Sequence, residues 1–132
     1  MPYLHLTLSH HPGAERMAHV AQALTDLTVD LLGKRRELTA LTIEVTPEGQ
    51  WFVGGAPLPG QSYQLDIKVT DGTNTADEKA SFVAQVHTTL EDLLGPMAAA
   101  SYVVVHDVDG RAWGYQGRTQ AARRQALPQT AL

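Results

Sequence analysis

The residues with the most chemical scope stand at the start of the chain, where Met1 is followed by Pro2. Loss of Met1 leaves Pro2 as a secondary amine whose ring fixes φ. Such an amine accepts a proton only while neutral, and desolvation favours the neutral form. A base tuned towards the working pH is worth about 10²–10⁴ in rate. The same amine could instead attack a carbonyl and form an iminium. Tyr3, Trp51, Phe52 and Trp113 are candidates for the apolar wall that desolvates it. A developing enolate or a substrate carboxylate also needs a cation or a hydrogen-bond donor. Arg118, Arg111 and Lys68 are the candidates for that part. A proton shift of this kind needs no metal and no cofactor.

The other reactive side chains read more simply. His5, His10 and His11 lack a carboxylate at metal-ligand spacing, so a surface turn is the expectation for them and no metal site is expected. His106, in an apolar run, reads as a satisfied core or interface histidine. Trp51 and Trp113 serve equally well as hairpin packing. Gly54-Gly55 is a turn and not a phosphate loop, because no Gly-Lys-Ser/Thr follows. Glu91-Asp92 reads as a solvated helix edge. With no cysteine, disulfides, thiolate catalysis and cysteine zinc sites are excluded. The net charge of −4 argues against nucleic acid or an acidic membrane as partner, since phosphate binding rests on a basic footprint. Arg123-Arg124 reads as a solvated tail. The start of the chain has no signal-peptide pattern, and no apolar run approaches the ~20 residues of a membrane helix. The expectation is a cytoplasmic protein.

The elements that must position these residues come as a repeat. Trp51 matches Trp113 and Gly55 matches Gly117 at a separation of 62, and Glu15 matches Asp77 at the same spacing. Leu4-Leu6-Leu8 matches Leu65-Ile67-Val69 at 61. Each unit predicts strand, helix, strand and turn. Residues 3–8 alternate as a half-buried strand does. In 14–32, Met17, Val20, Leu24, Leu27 and Leu31 form one apolar helix face, ended by Gly33. Residues 38–45 form the second strand, and Pro59-Gly60 the linker. In the second unit 63–70 is a strand, and Thr75 with Glu78 makes a capping box. Val83, Val86, Leu90 and Leu93 form the helix face, stopped by Gly95-Pro96. Residues 101–108 are a strand and 113–117 a turn. The fold class is therefore α+β (α/β): two tandem β-α-β units sharing a four-stranded mixed sheet with two helices on one face. One domain spans 1–132, with units at 2–60 and 61–118 and a C-terminal arm at 119–132. The uncovered sheet face predicts association into a closed homo-oligomer.

A β-α-β unit of this size, doubled, with proline directly after the initiator methionine, resembles the tautomerase superfamily. Among its families the chain looks most like cis-3-chloroacrylic acid dehalogenase, with a likeness to 4-oxalocrotonate tautomerase. The similarity runs through 19–55, is clearest in Leu38–Gly55, and resumes at Thr75-Ala-Asp77. The resemblance implies a homotrimer with the Pro2 amine at the floor of a pocket between subunits. It also implies that Pro2 is the general base of a cofactor-free isomerase acting on a small enol or 2-oxo acid. By the same analogy Arg118 is the favoured substrate-binding cation, and Tyr102 and Tyr115 join the pocket. The family's supporting residues are replaced. The dehalogenase histidine on the first helix falls at Thr28, its two carboxylate-holding arginines at Asp71 and Asn74, its tyrosine at Val104, and its glutamate near Tyr115. The single-unit arginines fall around Ser9 and Pro12. Two other readings stay open: a hydratase, dehalogenase or decarboxylase with Pro2 as proton donor, and a non-catalytic oligomeric binding protein.

Overall fold

The computed structural model describes residues 1–126; the end of the expected C-terminal arm, 127–132, lies outside the described residues. The first unit runs β1 (Tyr3–Leu8), α1 (Ala14–Leu32), a 3₁₀ turn at Arg36–Leu38 and β2 (Ala40–Val45). A short hairpin, β3 (Phe52–Val53) and β4 (Ala56–Pro57), closes it. The second unit runs β5 (Tyr63–Thr70), α2 (Ala76–Leu94), β6 (Tyr102–Val108) and the hairpin β7 (Gly114–Tyr115) and β8 (Arg118–Thr119). A final helix, α3 (Gln120–Ala126), follows. The expected strands at 3–8 and 63–70 and the first helix keep their bounds. β2 starts two residues later than expected, because the Thr39 N–H turns back to the Arg36 carbonyl and closes a 3₁₀ turn first. The repeat persists in hydrogen bonds: Leu58 N–H donates to the Trp51 carbonyl and Gln120 N–H to that of Trp113, both at 3.0 Å.

The four main strands form one mixed sheet in the order β2-β1-β5-β6. β1 and β2 are parallel, as are β5 and β6; β1 and β5 meet antiparallel at the centre. Leu4 lies opposite Ile67, Leu6 opposite Leu65 and Leu8 opposite Tyr63. These side chains share one sheet face, where Val20, Leu24, Phe82, Val86 and Leu90 of the two helices complete a buried core.

The helix faces differ from expectation. In α1 the buried set is Val20, Leu24, Thr28 and Leu32, and Met17, Leu27 and Leu31 flank it half-buried. Thr28 is admitted because its hydroxyl donates to the Leu24 carbonyl at 2.7 Å, which satisfies it within the helix. In α2, Phe82 takes the buried place expected of Val83, which is exposed. An aromatic ring there fills more of the core than a valine would. The helix ends match expectation: Gly33 adopts the left-handed conformation at φ 67°, and Thr75 and Glu78 form both bonds of the capping box.

The other sheet face is mixed, polar side chains beside exposed Tyr3, Tyr102 and Val104. It carries Tyr3, His5 and Thr7 of β1 and Gln64, Asp66 and Lys68 of β5, flanked by Thr42, Glu44, Tyr102, Val104 and His106. Tyr3 OH and Thr42 Oγ1 are 2.9 Å apart, and His106 Nε2 lies 2.7 Å from Asp66 Oδ1. His5 Nε2 stands 3.4 Å from Glu44 Oε2, an ion-pair distance without hydrogen-bond alignment.

Thr75→Ala should cost about 1 kcal/mol by loss of the cap. Leu65→Ala at the sheet centre should cost about 2–5 kcal/mol through the cavity it leaves. Urea unfolding of both variants checks the order of the two effects.

Candidate active site

The strand directions decide what meets at Pro2. β1 and β2 begin, and β5 and β6 end, at the same edge of the sheet. Pro2 is buried there, in line with Leu4 and Leu6 on the helix-covered side, and its carbonyl accepts the Ala40 N–H at 3.4 Å. The terminal amine, on Met1, is pushed down to about 6, first by burial and then by the positive charges of Lys34 and Arg35. A charged amine is disfavoured both by poor solvation and by like neighbours.

Lys34 owes its position to Gly33, which turns the chain off the end of α1. Its Nζ donates to Thr73 Oγ1 at 2.9 Å, spanning to the loop after β5. Burial pushes the Lys34 ammonium down, Glu78 opposes that, Arg124 of α3 adds to it, and Asp107 opposes it. Asp107 is itself paired with Lys79 at 2.7 Å. Arg35 is exposed and bound to Glu37 at 2.6 Å. Lys34 is thus the half-buried cation at the chain start. Sequence reasoning missed it, because a lysine just past a helix cap carries no periodicity and no motif.

Of the expected site residues, several share this edge. The β7–β8 hairpin follows β6 and so emerges here with Trp113, Tyr115 and Arg118. Arg111, Trp113 and Arg118 line an open cleft of about 290 Å³. Arg111 is locked onto Asp109 at 2.7 Å and holds that carboxyl down to about 2. Trp113 Nε1 is buried with no hydrogen-bond partner among the described residues. Gly114 has no room for a side chain: a Cβ would lie 1.9 Å from the Arg118 carbonyl oxygen. Tyr3 and Lys68 pair in register at the same edge, on the uncovered face. Trp51 and Phe52, on the first hairpin, and Tyr102, at the start of β6, lie at the opposite edge.

Other expectations change. Arg123 and Arg124 are not a solvated tail but part of α3. The Arg123 guanidinium covers the Tyr115 ring at 3.7 Å and donates to the Tyr115 carbonyl at 2.8 Å. Asn74 donates to the Leu32 carbonyl at 2.9 Å and ties the end of α1 to the start of α2. Asp71 is exposed, and Val104 faces outward from the sheet. Tyr63 stands where Pro2 stands in the first unit, 61 positions on. Its phenol meets His87 Nδ1 at 2.9 Å, and burial, with Glu91 next, pushes it up. That counterpart lies inside the chain and offers no amine. Among the described residues no group of His, Asp or Glu is arranged to hold a metal, and no helix is long and apolar enough to cross a membrane.

Comparison with known proteins agrees with this architecture. Residues 65–123 match the family model described as tautomerase enzyme. The probable tautomerase K2 of Dickeya dadantii (strain 3937) is 33% identical over 61 residues, 46% of this chain and 91% of that protein. The chain belongs to the tautomerase superfamily. Among solved structures, a fused 4-OT, wild type and described as an asymmetric trimer, is 24% identical with a TM-score of 0.81. It covers 92% of this chain and 98% of its own. A member of the cis-3-chloroacrylic acid dehalogenase family is 21% identical with a TM-score of 0.78, covering 98% and 94%. At these identities the two structures establish the fold.

The terminal amine has a sign to test. Its folded pKa lies below the ordinary value of 8.0. Between the two values the unfolded chain binds more protons, so stability should rise with pH from about 6 to 8. The urea midpoint should be higher at the upper end of that window. The difference should shrink in protein acetylated at its N-terminus.

Proposed function

We propose that this chain is a cofactor-free enzyme that moves a proton within a small enol or 2-oxo acid, with the Pro2 amine as general base after Met1 is removed. The observation that carries the reading is the chain start itself, a buried amine environment depressed to about 6 by desolvation and by Lys34 and Arg35. Loss of Met1 moves the amine one residue inward, to buried Pro2. Near neutral pH it is then free to accept a proton. The neutral nitrogen takes the proton from the enol oxygen, or from carbon in the reverse sense, and delivers it to the neighbouring carbon. Negative charge left on the substrate oxygen and its carboxylate faces Lys34, with Arg35 and Arg124 adding to the field. Trp113 and Tyr115 supply wall, and the unpaired Trp113 indole N–H is a further donor. Arg118 remains the substrate-binding candidate on the second hairpin, and Lys68 and Tyr3 the candidates on the outer face. Trp51, Phe52 and Tyr102 reach such a site only from another subunit. The fused 4-OT relatives solved as trimers support a homotrimer. The burial and positive charges that push the Met1 amine down would also disfavour a charged Pro2, which the hydratase, dehalogenase and decarboxylase readings require.

Ketonisation of phenylenolpyruvate, followed by ultraviolet absorbance on protein whose mass shows Met1 absent, is the test. In Pro2→Ala, kcat/KM should fall by about 10²–10⁴. In Lys34→Ala it should fall by about 10², the loss of one charge-stabilising group. The wild-type acid limb should lie well below that of an exposed amine. Equal rates in wild type and Pro2→Ala would sink the proposal.

A further inference from the structure

The doubling that puts Pro2 at one edge of the sheet builds a counterpart at the other. There β1 ends and β5 begins, with Leu8 opposite Tyr63 and the Ser9 N–H donating to the Ser62 carbonyl at 3.1 Å. The first hairpin, with Trp51, emerges at this edge as the second, with Trp113, emerges beside Pro2. The length of β1, about 20 Å at 3.3 Å per residue, separates the two edges. The counterpart is not closed over. A cleft of about 650 Å³ opens between the loop after β1 and the first hairpin, more than twice the 290 Å³ at the second. It lies within the range of small-molecule sites, about 300–1,000 Å³.

Its polar groups are set by their neighbours. Ser9 Oγ accepts the Ser62 N–H at 2.8 Å and lies 2.9 Å from His10 Nδ1. His11 Nδ1 accepts the Gly13 N–H at 2.9 Å. His11 therefore carries its proton on Nε2, and His10 does so when the Ser9 hydroxyl donates to it. Two adjacent residues thus present Nε2 atoms for which the described residues supply no hydrogen-bond partner. Val45, Leu58 and the indole of Trp51 form the apolar wall. No lysine or arginine lines the cleft, and exposed Glu48 is among its lining residues. Such a lining suits one carboxylate shared between two neutral donors, with a flat apolar body on the indole. It does not suit a phosphate or a dicarboxylate, which needs more positive charge.

We propose that this cleft is a second ligand site, lacking any amine, that holds a small aromatic monocarboxylate on the Nε2–H groups of His10 and His11 against Trp51. Without a base the ligand is bound and not turned over. The site does not depend on Pro2 acting as a base.

The chain has two tryptophans, one at each edge, so each can report alone. In Trp113→Phe, titration with phenylacetate should change Trp51 fluorescence saturably, and the change should persist when Pro2→Ala is added. His10→Asn and His11→Asn keep an acceptor near the Nδ1 position, and hence the turn, but delete the Nε2–H donors. Together they should weaken binding by about tenfold or more, the loss expected of hydrogen bonds to a charged group. Succinate and inorganic phosphate should leave Trp51 unchanged. Absence of a saturable response to phenylacetate would overturn the proposal. So would a response lost on Pro2→Ala, which would make Trp51 part of the amine site of another subunit. Full affinity in the doubly substituted chain would refute the role of the histidines.

Discussion

The antiparallel pairing of β1 with β5 is the constraint on which the rest of the molecule hangs. A single β-α-β unit has two strands and one helix, too little to bury a core. Joining two units through their first strands makes a four-stranded sheet whose central residues, Leu4, Leu6, Leu65 and Ile67, lie under both helices at once. The same pairing is a local two-fold relation. It sends the start of β1 to the end of β5, and the start of β5 to the end of β1. Features of the repeat near Pro2 therefore have relatives at the opposite edge, with Tyr63 for Pro2, Pro96 for Lys34 and Trp51 for Trp113.

What the two edges do with that equivalence differs. At the Pro2 edge the chain gathers positive charge around a buried amine position, and α3 returns Arg124 to the neighbourhood of Lys34. At the Tyr63 edge the corresponding volume is left open, and the polar groups include the imidazoles of His10 and His11. Duplication removed the need for two identical sites, and the side chains diverged while the backbone hydrogen bonds of the two hairpins stayed in step.

Much of the fold was legible because it rests on local rules. The alternation in 3–8 and 63–70, the Thr75–Glu78 box and Gly33 each specify a backbone conformation from residues close in sequence. The repeat then supplied the topology. The helix faces were less legible. Thr28 hides its polarity in a bond to its own helix, and Phe82 outcompetes Val83 by size. The candidate site was legible only as far as naming Pro2 and the second hairpin, which the structure places at one edge of the sheet. Lys34 was not, because its role arises from the meeting of the α1 terminus with the start of the chain and the loop after β5. The pairing of Arg123 with Tyr115 was hidden for a similar reason, since eight positions of sequence collapse onto one turn.

Tyr63 gives the last consequence. The fold treats the two positions alike, and only the place where the chain is cut makes one of them a terminus. Joining the ends and opening the polypeptide ahead of residue 63 would leave the sheet, the helices and both hairpins intact in principle. It would also exchange which edge carries a free amine. In this architecture the location of reactive nitrogen is a property of connectivity, and a circular permutation is the substitution that would move it.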